Sequence, residues 1–196
     1  MMIAAMMVAT LTASAQFEPG TFTLQPKVGV GFSEIVDDNA KFKFGIGAGF
    51  EGQYQINNWF GVAAGVMYQQ KGSGIDNFDD VKINLEYIDV PIMAKFYVTK
   101  GLSLNVGLQP SFMTKAKIDN DGTDVDVKDN CEKFEFSVPM SIAYELPQGL
   151  TFEARYVYGL TDVGKNYFEK GSSTYDHAIK DKNCMFQITV GYKFAL

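Results

Sequence analysis

Beyond its first residues, the sequence lacks any apolar run that could cross a membrane as a helix. A transmembrane helix needs about 20 largely apolar residues, and no window after residue 15 approaches that length. The 196 residues are enough for one domain of ordinary size. A bundle of transmembrane helices is therefore excluded, and a membrane location would require a β-barrel.

Basic residues are also outnumbered by acidic ones. The chain has 17 lysine and arginine residues against 23 aspartate and glutamate residues, which leaves a net charge of −6. Domains that bind nucleic acid normally carry a basic patch. The sequence therefore predicts no nucleic-acid partner.

Histidine is nearly absent. The single histidine, His177, has Ser172, Ser173 and Asp176 close to it in the sequence. Such neighbours do not make a catalytic triad, and the sequence contains no nucleophile elbow. The sequence predicts a protein that is not an enzyme, and no pattern indicates a cofactor.

One acidic run invites interpretation as a calcium site. It contains Asp119, Asp121, Asp124, Asp126 and Asp129. An EF-hand loop needs glycine at its sixth position and glutamate at its last, where this run has Asp124 and Asn130. No metal site is predicted, and the run favours a solvated loop that holds divalent ions weakly at a lipopolysaccharide surface.

The first fifteen residues predict export. Residues 1–15 are apolar and end in Ala13-Ser14-Ala15, which is typical of a signal peptide cleaved before Gln16. The alternative is a buried N-terminal helix or strand. Residues 16–196 then form the mature domain.

Export permits a disulfide between the only two cysteines, Cys131 and Cys184, and the alternative is two free thiols.

Aromatic residues and glycines are plentiful, and apolar residues alternate with polar ones. The clearest stretch is residues 134–160, where the apolar stripes are Phe134, Phe136, Val138, Met140, Ile142, Tyr144 and Leu146, then Phe152, Ala154, Tyr156, Tyr158 and Leu160. A period of two is the strand period. The stretch therefore predicts a hairpin closed by a turn at Pro147-Gln148-Gly149.

The same alternation recurs along the chain and predicts eight antiparallel strands, at about residues 22–33, 41–56, 59–70, 82–98, 102–115, 134–146, 150–160 and 183–196. A change of parity in the fourth strand predicts a bulge near Glu86-Tyr87. Long and short connections alternate, as in outer-membrane barrels with short periplasmic turns and longer extracellular loops. The predicted fold is all-β, an eight-stranded up-and-down transmembrane barrel in the bacterial outer membrane.

Charge marks one face of these strands as the inside. The predicted lumenal charge network comprises Lys27, Lys43, Glu51, Asp89, Lys95, Glu135, Glu145, Glu153, Arg155 and Lys193. The opposite face is almost free of charge and is predicted to contact lipid. An eight-stranded barrel has an interior just wide enough for side chains to fill, so these charges are expected to pair and plug the lumen.

The chain resembles the PorT-like outer-membrane β-barrel family of the Bacteroidetes. The resemblance is carried by the segments Gly29-Val30-Gly31, Gly45-Ile46-Gly47, Leu85 to Pro91 with Lys95-Phe96-Tyr97, Arg155 to Leu160, and Val190 to Phe194. It implies an outer-membrane location. It does not imply one activity, although the family's namesake is linked to protein secretion.

The predicted function is a small outer-membrane barrel with a filled polar lumen. It would serve an envelope-structural or surface-interaction role through its extracellular loops, in contact with lipid, lipopolysaccharide and a protein partner at those loops, and it would be a monomer by default. The alternatives are a narrow channel for ions or small solutes, a component of a protein secretion apparatus, and, furthest from the pattern, a soluble lipocalin-like binder.

Overall fold

A computed structural model describes residues 18–35, 40–41, 43–75, 78–120, 123–126, 132–162 and 182–196. These residues form a closed, antiparallel barrel of eight strands, which confirms the predicted fold. The strands are β1 (Phe22–Ile35), β2 (Lys43–Asn57), β3 (Phe60–Ile75), β4 (Phe78–Asp89 and Ile92–Thr99), β5 (Leu102–Asn120), β6 (Phe134–Glu145), β7 (Leu150–Asp162) and β8 (Lys182–Tyr192). Within these ranges, no helix is long and apolar enough to span a bilayer.

Each strand pairs with its neighbours in the chain, and β8 pairs with β1 to close the sheet. Short pieces extend the ladder, since Ala40–Lys41 pairs with β3 and Phe194–Ala195 pairs with β1. The tight connections after β2, β4 and β6 lie at one end of the barrel, which we call the turn end. The opposite end, where β1 and β7 finish, is called the loop end.

The outer surface is apolar. Val28, Phe50 and Val98 are each about 60% exposed, and aromatic pairs stand near both ends. Phe112 packs on Phe134 near the loop end at 5.5 Å between ring centroids, and Trp59 stacks on Phe96 near the turn end at 6.5 Å. Such belts are typical of the two membrane–water interfaces. A soluble ligand-binding barrel would have its apolar face inside instead.

Charge on this outer face should prevent stable insertion. Ile188 lies near the middle of β8 and faces outward. We expect Ile188→Arg to destabilise the inserted barrel by about 2–4 kcal/mol, the usual cost of arginine at the bilayer midplane. Denaturant unfolding in lipid vesicles measures the change, with Ile188→Leu as the apolar control. Equal stability of the two variants would contradict the assignment of this face to lipid.

The predicted change of parity in the fourth strand is wrong. Leu85, Tyr87 and Asp89 all point into the barrel, so β4 keeps one parity. The irregularity lies in the partner strand, where Glu86 pairs with Lys115 and Tyr87 with Met113, which leaves Thr114 as the extra residue. The sequence argument failed because it assumed that every apolar residue faces lipid. The inward residues Leu85, Tyr87, Met113 and Ala116 instead form a small apolar cluster inside the barrel.

The predicted outer loops after β3 and β5 are largely strand. The predicted loop 71–81 contains the ends of β3 and β4, which pair as far as Ile75 and Phe78. The predicted loop 116–131 contains the end of β5, which pairs with Thr123–Asp126. Phe112 of β5 pairs with Phe134, the first residue of β6. Beyond Phe112, β5 continues to Asn120, which is roughly 25 Å further along the strand. One side of the loop end therefore rises as a sheet of residues 71–75, 78–84, 113–120 and 123–126, called the raised sheet below.

Several predicted features lie outside the described residues. They are the signal peptide at 1–15, the group around His177, and Asp121 and Asp129 of the acidic run. Cys131 also lies outside, while Cys184 is half-buried on the outward face of β8. The disulfide therefore stays a prediction.

The charged lumen as candidate functional site

Five charged groups meet at mid-height inside the barrel and are called the central cluster. Glu51 accepts hydrogen bonds from Lys27, at 2.8 Å, and from Lys95. Glu153 accepts hydrogen bonds from Lys27 at 2.9 Å and from Arg155 at 2.8 Å. The Arg155 guanidinium also lies 3.6 Å from Glu51. Because these residues come from β1, β2, β4 and β7, the cluster ties opposite walls of the barrel together.

A second ionic group, called the upper cluster, lies nearer the loop end. The Lys71 ammonium lies 3.2 Å from Asp89 and 3.6 Å from Glu135, and 4.5 Å from the centre of the Tyr87 ring. Asn183 donates a hydrogen bond to Glu135 at 3.3 Å. One cation thus bridges two carboxylates on different strands, with an aromatic face beside it.

A third group, called the lower cluster, closes the lumen near the turn end. Lys193 pairs with Glu145 and lies 3.4 Å from the Tyr97 hydroxyl. Gln53 donates to the same hydroxyl at 2.8 Å and to Gln55 at 2.8 Å. The described lumen is therefore filled by polar side chains at three heights.

The structure places all ten residues of the predicted charge network on the inward face. Nine are at most 5% exposed, namely Lys27, Glu51, Asp89, Lys95, Glu135, Glu145, Glu153, Arg155 and Lys193. Lys43 is half-buried near the loop end, where it donates hydrogen bonds to the Lys71 carbonyl and the Asn84 side chain. Each of the nine buried residues contacts at least one residue of opposite charge, as neutralisation of buried ions requires.

Sequence reasoning missed Lys71, which it placed in a loop. The residue is 1% exposed and bridges the upper cluster. The alternation of inward and outward residues could have placed Lys71 inside the barrel, because it lies two residues after Gln69 and four after Met67, which both point inward. Buried glutamines add to the filling of the lumen, since Gln187 donates to Gln69 across it at 2.8 Å.

Glycines on β1 and β2 make room for this packing. A side chain at Gly47 would collide with the Gln69 amide, and one at Gly29 would collide with Thr189. The inward glycines therefore let long polar side chains lie flat against the wall. This arrangement fills a narrow lumen without widening the barrel.

The chemistry of these groups is ion pairing. No set of three or more histidine, cysteine, aspartate or glutamate side chains within the described ranges could hold a metal ion. Each carboxylate of the central cluster contacts at least two cations, so neither has the free geometry of a general base. The site can close the lumen and brace the wall.

Comparisons with known proteins agree with this architecture. A family model described as outer membrane protein beta-barrel domain matches residues 14–164. The crystal structure of Ail, the attachment invasion locus protein of Yersinia pestis, is 18% identical with a TM-score of 0.52, covering 90% of this chain and 99% of that one. Neisserial surface protein A is 15% identical with a TM-score of 0.57, covering 88% and 97%. No curated protein matches the chain in sequence.

Proposed function

Since this chain belongs to the outer-membrane protein β-barrel family, we propose that it is a closed envelope scaffold that presents its raised sheet to molecules outside the cell. The observation that carries the proposal is the central cluster, in which three cations and two carboxylates meet across the lumen. A lumen bridged in this way has no open path for solutes. Activity then belongs to the outer surface.

The raised sheet supplies that surface. In outer-membrane barrels the short turns face the periplasm and the longer connections face outward, so the loop end is the outer end. The strands of the raised sheet carry both signs of charge in their sequence, namely Asp79, Asp80, Asp119, Asp124 and Asp126 with Lys71, Lys82, Lys115 and Lys117. Charge complementarity favours a protein partner whose surface also carries both signs of charge.

A polyanionic ligand is less well supported. Ail of Yersinia pestis has been solved in complex with the heparin analogue sucrose octasulfate, at 18% identity to this chain and a TM-score of 0.52. The likeness concerns the fold, and the mixed charges of the raised sheet do not form the basic patch that such a ligand needs. A protein partner is therefore the better candidate for this chain.

Conductance in a planar bilayer tests the closed lumen. We expect the purified, refolded protein to give no discrete steps, because the central cluster spans the lumen. Discrete steps from the wild type that change in Arg155→Ala would contradict the proposal and show that the lumen conducts. Lys115→Ala is the matched control, because Lys115 is exposed at the rim and pairs with Glu86 at 3.2 Å outside the lumen.

A narrow channel is the second candidate. Buried polar atoms without a hydrogen-bond partner lie on both sides of the central cluster within the described residues. They include Gln53 Oε1 and Thr23 Oγ1 toward the turn end, and Ser111 Oγ and Asn183 Oδ1 toward the loop end. Such groups favour water beside them, so water beside these groups would join into a conducting path if the three clusters rearranged.

The narrower predictions stay predictions. Membership of the PorT-like group is supported by the segments from Leu85 to Tyr97, while the family match is to the broader domain. A role in secretion rests on that resemblance alone. That the protein is not an enzyme also stays a prediction.

A further inference from the structure

Three prolines lie within strands that have a neighbour on each side. Pro91 interrupts β4, Pro110 lies on β5 and Pro139 lies on β6, and we call these three residues the proline belt. A proline has no backbone N–H, so it removes a hydrogen bond from a ladder and is normally confined to edge strands and bulges. A closed barrel has no edge, and the bilayer core supplies no water to replace the lost bond. The belt is therefore a local weakness in the wall.

The first bond is lost between β5 and β4. The Val90 N–H donates to the Pro110 carbonyl at 2.8 Å, so these two residues face each other in the phase where antiparallel strands exchange both backbone bonds. Pro110 has no N–H to return to the Val90 carbonyl. The regular pairing of the two strands is interrupted at Val90 and Pro91.

The second bond is lost between β5 and β6, where the pairing is interrupted at Gly107 and Leu108. The register on both sides of this gap places Pro139 opposite Gly107. Gly101 and Glu145 lie in the same phase of the ladder, and the Glu145 N–H donates to the Gly101 carbonyl at 2.8 Å. Pro139 therefore stands where a donor to the Gly107 carbonyl is expected.

The ion pairs of the lumen do not hold this part of the wall. The segment from Leu102 to Met113 contains no charged residue, whereas β4 is tied on the two sides of the belt by Asp89 and Lys95. The residues of β6 that join the clusters, Glu135 and Glu145, lie near its two ends. None of the three clusters therefore braces the seam between β5 and β6 at the belt.

Uncharged polar side chains line the inner side of this seam. Ser137 donates to the Gln109 carbonyl at 3.2 Å, and Asn105 donates to the Ser141 hydroxyl at 3.0 Å. Among the described residues, however, Asn105 Oδ1 and Ser111 Oγ have no hydrogen-bond partner, and they lie on the two sides of the gap in β5. Such buried groups favour water beside them, so water has partners at the seam when the strands separate.

We propose that the barrel wall parts locally between β5 and β6 at the proline belt, while the central cluster keeps the rest of the barrel together. Local opening starts where a structure has the fewest hydrogen bonds and packing contacts to lose, and both neighbours of β5 lack a bond at this height. Parting admits water from the lumen to the Gly107 carbonyl. This conformational device goes beyond a closed scaffold, because it concerns the wall and leaves the central cluster intact.

Hydrogen exchange of single backbone amides tests the proposal. The full chain is refolded into lipid nanodiscs, and nuclear magnetic resonance follows the exchange of Gly107 and Gly49. Both are glycines on inward positions, but Gly49 is paired with both of its neighbouring strands. We expect Gly107 to exchange about tenfold faster or more, the change that corresponds to one lost backbone hydrogen bond.

Replacing the proline of the seam supplies the missing donor. We expect Pro139→Ala to slow the exchange of Gly107 by about tenfold, toward the rate of Gly49. The matched control is Pro110→Ala, which supplies a donor to the other ladder of β5 and should leave the difference between Gly107 and Gly49 nearly unchanged. Heat-modifiable mobility on gels shows that each variant is folded.

Three outcomes would overturn the proposal. The first is equal exchange of Gly107 and Gly49 in the wild type, which would mean a rigid wall and which decides the question even if Pro139→Ala does not fold. The second is fast exchange of Gly107 that a folded Pro139→Ala does not slow. The third is an equal slowing by Pro110→Ala, which would place the opening between β5 and β4. None of these outcomes depends on whether the lumen conducts.

Discussion

Replacing Glu51 by glutamine is expected to destabilise the folded barrel by about 3–5 kcal/mol, the cost of breaking a buried ion pair from one side. Glutamine keeps the shape of the side chain and removes its charge. Lys27, Lys95 and Arg155 would then share Glu153 as their neighbouring carboxylate within the central cluster. The excess positive charge is costly because Glu51 and Arg155 are each only 2% exposed.

Denaturant unfolding of the refolded barrel in vesicles measures this loss. The matched control is Glu86→Gln, which removes the same charge from a rim pair in which the Lys115 side chain is 61% exposed. Exposed pairs contribute about 0–1 kcal/mol, so the control should be nearly neutral. Similar small effects in the two variants would contradict a dry central cluster and favour a hydrated, conducting lumen.

Replacing Lys71 by methionine is expected to cost a similar ~3–5 kcal/mol. Methionine preserves most of the apolar stem and removes the charge, so Asp89 and Glu135 would face each other without the cation that bridges them. The contact with the Tyr87 ring would lose its cationic partner as well. The same unfolding experiment measures the loss, with Lys100→Met at the exposed turn end as the control.

A second substitution separates charge from packing in this test. If the loss in Lys71→Met comes from the two opposed carboxylates, adding Glu135→Gln should recover part of it. The interaction energy between contacting groups is then expected to lie at about 0.5–3 kcal/mol in a double-mutant cycle. Additive effects would mean that the charges of Lys71 and Glu135 are not coupled, which would contradict the bridging role of Lys71.

Much of the candidate site could be predicted from alternation. Glu153 and Arg155 share a face because successive side chains on a strand point to opposite sides. The same argument, continued by one step from Gln69, would have placed Lys71 inside. It failed there because the Gly and Asp residues after Lys71 are typical of a loop, whereas β3 continues through them to Ile75.

The pairing inside the lumen could not be predicted. Glu51 meets Lys27, Lys95 and Arg155, which lie far apart in the sequence. Which ends of these long side chains meet depends on the register of every strand between them and on the width of the lumen. The outward pair of Val28 and Val190 has the same origin, because these residues become neighbours only when β8 closes on β1.

The sequence by itself determined the number of strands, the face that most side chains take outside the first half of β4 and the outer-membrane class, because these follow from a local period of two and from the length of each stripe. The tertiary structure alone decided the inward apolar cluster at Leu85 and Tyr87, the bulge at Thr114, the height of the raised sheet and the identity of each ion pair. These features depend on contacts between strands, whose register a single strand's sequence does not specify.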